Sequence, residues 1–198
     1  MGRSPDPPMS DANAEIMEAT YRALCEYGYA DLTIKRIADE YGKSTAAIHY
    51  HFDTKDDLLA AFLEFLLDEY VDTLHEVEAT DPRERLDLLL DKLLVDPQNH
   101  RDLLVALLEM RNQTPHKAAF SEQFKQNDEY VRYLLRTVIE DGISRGVFRT
   151  VDAERVARTL MTIVAGARTR AVVLDEENAL TAARESADEY VSALLLRE

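Results

Sequence analysis

The sequence predicts an all-α protein of about nine helices, three short ones at the N-terminus and a larger helical bundle behind them. Three observations carry that expectation. Apolar residues recur at helical spacing almost throughout, and no run of strict alternation bounded by turn residues interrupts them. Glycines close the short N-terminal segments at Gly28 and Gly42. A capping residue is followed directly by proline at Asp81-Pro82, Asp96-Pro97 and Thr114-Pro115. In each pair the first residue can accept from orphan N–H groups, while proline fills the first helical position, where its missing donor costs nothing.

In chain order, the first helix runs from about Asp11 to Tyr27 and stops at Gly28, with Ile16, Ala19 or Thr20, Ala23, Leu24 and Tyr27 inward. The second spans Thr33 to Tyr41 and ends at Gly42, and the third covers Ser44 to about Tyr50. The fourth starts at Thr54 and continues to about Ala79. Five more follow over roughly 82 to 95, 97 to 112, 115 to 145, 152 to 174 and 177 to 197. Glu84 completes a capping box with Asp81. Up to Phe52 the helices are short; beyond it they are long, leucine-rich and amphipathic, as in a bundle. The expected division is therefore a proline-containing tail over 1–10, a small domain over 11–53 and a bundle over 54–198.

The formal charge is −15, from 23 basic and 38 acidic residues, which argues against a protein coated for nucleic acid. Any anion-binding surface must be local. A carboxylate-dense exterior favours solubility, and a high-salt working medium is the further expectation, because salt screens self-repulsion over a few ångströms. Cys25 is the single cysteine, so no intrachain disulfide can form and a cytoplasmic setting fits. The tail MGRSPDPPMS has no apolar run of a signal peptide. The longest apolar stretch, Leu58 to Leu67, is about half of the roughly 20 residues needed to span a bilayer, so no membrane partner is expected.

From Thr33 to Leu58 the chain reads TIKRIADEYGKSTAAIHYHFDTKDDL: helix, glycine turn, helix, cap and long helix, the spacing of a helix-turn-helix. Ile34, Ile37 and Ala38 are placed to bury one face of the first helix, and Ile48 with Phe52 to anchor the second. Lys43, Ser44, Thr45, Ala46, Ala47 and His49 are left outward. Small side chains at Ala46 and Ala47 let a helix lie deep in a major groove, and alanine can touch a thymine methyl. Ser44 and Thr45 can bond bases or phosphates. His49 and His51 are two residues apart, about 200° around a helix, a poor arrangement for chelating one metal. As phosphate-gripping donors they fit better, because a nearby anion favours the imidazolium. Lys55 adds a full charge in the first turn of the fourth helix.

Thr33, Ile37-Ala38, Gly42, Ser44, Ala46, Ile48, His49, His51-Phe52, Lys55 and Leu58 together resemble the DNA-binding domain of the tetracycline-repressor (TetR) family of one-component transcriptional regulators. The resemblance covers about Ile16 to Leu58. It departs from the family pattern at Lys43, where a small aliphatic is usual, at Ala46, where glycine is common, and at His49, where tyrosine is usual. It implies phosphate contacts from Thr33, His49, Tyr50, His51 and Lys55, with groove-facing roles for Ser44, Thr45, Ala46 and Ala47; Lys43 is added as a DNA-binding candidate. The implied protein is a homodimeric, ligand-responsive regulator, more a repressor than an activator, bound to a palindromic double-stranded operator and released by an unidentified small-molecule effector.

The resemblance makes residues 54–198 a ligand-binding and dimerisation domain. The large side chains assigned to its cavity are Phe62, Phe65, Leu66, Tyr70, Leu89, Leu93, Met110, Phe120, Phe124, Tyr133 and Met161. Apolar stripes on the last two helices, Leu160, Ile163, Val164, Ala167 and Ala171 with Ala183, Ala187, Tyr190, Val191 and Leu194, suit a four-helix contact about a two-fold axis. No cofactor, metal or catalytic residue is expected. A di-metal carboxylate bundle needs two helices each with an acid and a histidine at i, i+3, and only Asp72 with His75 has that spacing. A Ser-His-Asp hydrolase lacks its Gly-x-Ser-x-Gly elbow. A helical sensor or adaptor without DNA binding is the remaining alternative.

Overall fold

The computed structural model describes residues 11–75, 81–95 and 101–196, without the side chains of residues 11 and 69–75. The described residues form nine helices and no strand: α1 (Asp11–Asp31), α2 (Ile34–Tyr41), α3 (Thr45–His49), α4 (Lys55–His75), α5 (Pro82–Leu94), α6 (Arg101–Asn112), α7 (Ala118–Ser144), α8 (Ala153–Val173) and α9 (Ala179–Leu195). No described helix is long and apolar enough to cross a membrane.

Local chemistry sets the N-terminal boundaries. Gly28 adopts φ 67°, ψ 172° and bends α1, which carries one further turn to Asp31; the positive φ suits a residue without a Cβ. Thr33 caps α2 by accepting from the Arg36 N–H at 3.2 Å. Gly42 ends α2 in the left-handed conformation, its N–H directed at the Ala38 and Asp39 carbonyls. Ser44 caps α3 through the Ala47 N–H. At α4 the cap is reciprocal: the Thr54 N–H donates to the Asp57 carboxylate and the Asp57 N–H donates to Thr54 Oγ1, both at 3.1 Å.

Of the proline-marked starts, Asp81 caps α5 by accepting from the Arg83 N–H at 2.7 Å, and Asp96-Pro97 lies outside the described residues. Thr114-Pro115 does not open α7. The Gln113 carbonyl accepts from both His116 and Lys117, turning the chain at the end of α6, and α7 begins only at Ala118. Proline is tolerated in that turn for the same reason it is tolerated at a helix start.

Two apolar interiors result. The first joins Ile16, Leu24, Ile37, Ile48, Leu59 and Phe62 of α1 to α4 with Ala106 and Met110 of α6 and Phe120 of α7. The second is built from α5, the remainder of α7, α8 and α9, with Leu104 of α6 at its edge. The interior therefore does not divide at Asp53. At the end of α7 the chain folds over Gly142, whose carbonyl accepts from the Val147 and Phe148 N–H groups at 2.9 and 3.0 Å, and the Phe148 ring is buried against it. Arg184 clamps α9 to α5, with Nε on Asp91 at 2.7 Å and further bonds to Asp188 and the Asp87 carbonyl. Burial raises the Asp87 carboxyl above the usual carboxylate range, although the Arg184 guanidinium beside it acts the other way.

Six of the ten residues assigned to a partner subunit are already covered in this second interior, and the other four keep part of their surface open. Leu160, Val164, Ala167, Ala171, Ala187 and Val191 are buried within the protomer, and Ile163, Ala183, Tyr190 and Leu194 pack half-buried against the same core. An apolar stripe records that something covers it; here the cover is the chain's own α5, α7 and the facing helix of the α8–α9 pair. The residues assigned to a cavity separate likewise. Phe62, Met110 and Phe120 are buried in the first interior with Phe65, Leu66 and Phe124 at its margin, while Leu89, Leu93 and Met161 belong to the second. Tyr133 is 51% exposed and faces solvent. The side chains of Tyr70, Asp72 and His75 lie outside the described residues.

Candidate nucleic-acid interface

The five-residue α3 is held by a single deep anchor, Ile48, with no exposed surface. Around that anchor Thr45, Ala46 and His49 are exposed and Ala47 is half-buried, so the helix presents a face of small and polar groups. Thr45 and His49, four residues apart, share that face. Tyr50 is 85% exposed and stands edge-on to the His51 ring at 5.1 Å, continuing the face beyond the helix end. Thr33 and Ser44 are exposed as well. Their hydroxyl oxygens accept from backbone N–H groups, which leaves each O–H free to donate outward.

The cations flanking this face are engaged within the chain. Lys43 Nζ lies 3.2 Å from the Glu15 carboxylate and 2.9 Å from the Tyr41 hydroxyl, 4.3 Å above the Tyr41 ring. The Tyr41 and Glu15 bonds raise the Lys43 pKa. Lys55 Nζ donates to the Leu32 carbonyl at 3.0 Å and sits 5.0 Å from the Tyr29 ring centroid. Burial lowers its pKa, and the neighbouring Lys117 ammonium lowers it further. Arg22 pairs with Glu40, and Arg36 donates to the Asp31 carbonyl while covering the Tyr27 ring. Sequence spacing marked Lys43 and Lys55 but could not reveal the distant groups beside them, Glu15 and Tyr29 of α1, the Leu32 carbonyl before α2 and Lys117 of the α6–α7 turn; Tyr41, two residues from Lys43, is the local partner.

Two family profiles match this architecture: bacterial regulatory proteins of the tetR family over residues 16–62, and the C-terminal part of BetI-type transcriptional repressors over residues 82–196. The chain belongs to the TetR family. A TetR transcription regulator from Haloarcula marismortui ATCC 43049 is 66% identical in its crystal structure, with a TM-score of 0.90 over 94% of this chain and 100% of that one. BetI 1 of Chromohalobacter salexigens is 25% identical over 186 residues, covering 92% of this chain and 90% of that protein. A regulator from Saccharomonospora viridis, crystallised in complex with choline, shares the fold at a TM-score of 0.83 and 24% identity, covering 96% of this chain and 100% of that one. Matches to the Bacillus subtilis regulators YerO and PksA span about half of those proteins, 50% and 46%. TetR-family proteins are transcriptional regulators that bind operator DNA and small-molecule effectors as dimers.

Proposed function

We propose that this TetR-family regulator is a cytoplasmic repressor that binds a near-palindromic operator as a homodimer and is released by a small-molecule effector held in the helices behind the reading head. The observation that carries the reading is the outward face of α3, where Thr45, Ala46 and His49 surround a fully buried Ile48. Thr45, Ala46 and Ala47 face base edges, with Ser44 at the rim; Thr33, His49, Tyr50 and His51 grip phosphates. Lys43 and Lys55 join the phosphate contacts once their internal partners are exchanged for DNA. The BetI-type C-terminal match and the choline complex of the Saccharomonospora viridis protein support a small organic effector. The charge of −15 and the Haloarcula marismortui relative support a high-salt working medium.

Dimerisation on this reading uses the outward faces of α8 and α9. Thr162, Ala165, Gly166 and Thr169 are exposed and small, permitting close approach. The Thr162 and Thr169 hydroxyls are already spent on the Arg158 and Ala165 carbonyls at 2.9 Å, and that of Ser186 on Ala182 at 2.8 Å, so covering them strands no donor. A two-fold axis there sets the two α3 helices about one duplex turn apart, roughly 34 to 36 Å. The test is selection of bound fragments from the source genome by the full-length protein in molar KCl. Enrichment of near-palindromes with half-sites one turn apart is expected. Recovery no different from that of a variant with Thr45 and His49 both changed to glutamate would refute the reading.

A further inference from the structure

A polar seam joins the reading head to the rest of the molecule, away from the α3 face. On one side lie the bend of α1 and the first turn of α4; on the other, the end of α6 and the start of α7. Glu109 of α6 accepts from the Tyr29 N–H at 3.0 Å, beside the bend at Gly28. Lys117, at the N-cap of α7, donates to both carboxylate oxygens of Asp56 at 2.6 and 2.7 Å. The Tyr29 ring lies 5.0 Å from the Lys55 ammonium and 5.8 Å from that of Lys117, with the Phe120 ring edge-on at 6.2 Å.

The position of Asp56 gives the seam its meaning. It is the residue after Lys55 and sits inside the Thr54–Asp57 cap, so whatever grips Asp56 fixes the attitude of the first turn of α4. Lys117 is spent on two carboxylate oxygens, a geometry suited to holding a turn and not to reaching a phosphate. The pair is half-exposed, 27% for Lys117 and 39% for Asp56, and ion pairs at such exposure add little to folding stability. Its remaining consequence is orientational.

We propose that Lys117 is a positioning residue for DNA binding: by gripping Asp56 it holds the first turn of α4 and Lys55 at the attitude the operator requires. The proposal rests on the DNA-binding reading above, and the experiment separates the two.

Full-length Lys117→Met, Asp56→Asn, the double variant and Lys117→Arg are titrated with the most enriched genomic duplex over a range of KCl concentrations. Lys117→Met and Asp56→Asn each weaken binding about fivefold, the double variant no more than either of them, and Lys117→Arg binds as the parent does. The slope of log K against log salt stays that of the parent, whereas loss of a direct phosphate contact reduces it by about one unit. Parental affinity in Lys117→Met, additive losses in the double variant, or a reduced slope overturns the proposal. If the parent enriches no duplex, the DNA-binding reading fails by itself, and hydrogen exchange then judges the seam. Amides of residues 54–60 exchange faster in Lys117→Met while those of α8 keep the parental rate; unchanged exchange at 54–60 overturns the positioning role.

Discussion

Gly142→Ala tests the packing at the end of α7, because two effects of opposite sign meet there. In a helix interior alanine is favoured over glycine by about 1 kcal/mol, so propensity alone makes the change stabilising. The structure reverses that sign. A Cβ built at Gly142 falls 2.1, 2.4 and 2.9 Å from Cδ2, Cε2 and Cγ of the Phe148 ring, where carbon atoms normally rest roughly 3.5 to 4.0 Å apart. The ring must retreat by about 1.4 Å or more, yet it is only 1% exposed and its own N–H is bonded to the Gly142 carbonyl at 3.0 Å. Overpacking of this kind costs about 1 to 3 kcal/mol, and with shifts this large the upper part of the range applies, for a net loss of about 1 to 2 kcal/mol. The assay is urea unfolding at fixed KCl and protomer concentration, comparing midpoints at unchanged slope. In a Phe148→Leu background the same alanine should cost less than half as much, since the branched side chain vacates the ring's edge. A Gly142→Ala protein more stable than its parent, or equally destabilised in both backgrounds, would refute the steric argument.

Other outcomes follow from the same structure. Arg184→Met leaves Asp87, Asp91 and Asp188 facing one another without their shared guanidinium; with those carboxylates 43%, 47% and 48% exposed, the loss near pH 7 should be about 2 kcal/mol, below that for a fully buried pair. Removing Arg184 takes away the charge that opposes burial at Asp87, so the folded-state pKa of that carboxyl rises further above its unfolded value, the native protein binds more protons there than the unfolded one, and stability falls as pH rises through it. Unfolding measured from pH 4 to 8 should therefore show the deficit shrinking on acidification, and a pH-independent deficit would contradict the assignment. Glu15→Gln releases Lys43 from its carboxylate partner, leaving only the Tyr41 contact, and should strengthen binding to any duplex by about two- to threefold at low salt, steepening the salt slope by up to about one unit in a fluorescence titration. Gly166→Arg meets nothing within 4 Å of its added Cβ, so the protomer should stay folded by circular dichroism while sedimentation shows the dimer dissociated; an intact dimer would place the interface elsewhere.

How much of this was legible in the sequence depended on how local the physics was. Thr33, Gly42 and Ser44 announced the boundaries of α2 and α3, because caps and left-handed turns are chemistry of three or four consecutive residues. Ile37, Ala38 and Ile48 were legible as anchors because periodicity alone places them on one face. Thr114-Pro115 was misleading because a turn and a helix start ask for the same residue types. On α8 and α9 periodicity shows that Leu160 or Val191 is covered, not by which chain: both lie in the protomer's own interior, whereas Ile163 and Tyr190 stay half-open. Lys43, tied to a carboxylate 28 residues away, and Lys55, tied to a carbonyl 23 residues away, gave no local sign of those partners.

The first interior bears on how this regulator can be recombined with its relatives. Ala106, Met110 and Phe120 are packed among Ile16, Leu24 and Leu59, so the reading head borrows part of its filling from segments far along the chain. A chimaera spliced at Asp53 would bring a foreign body against a head shaped for these three side chains, leaving voids on one side and clashes on the other. Exchange of operator preference between such regulators is better made by transplanting the solvent-facing positions of α3 alone, where no inherited neighbour has to be matched.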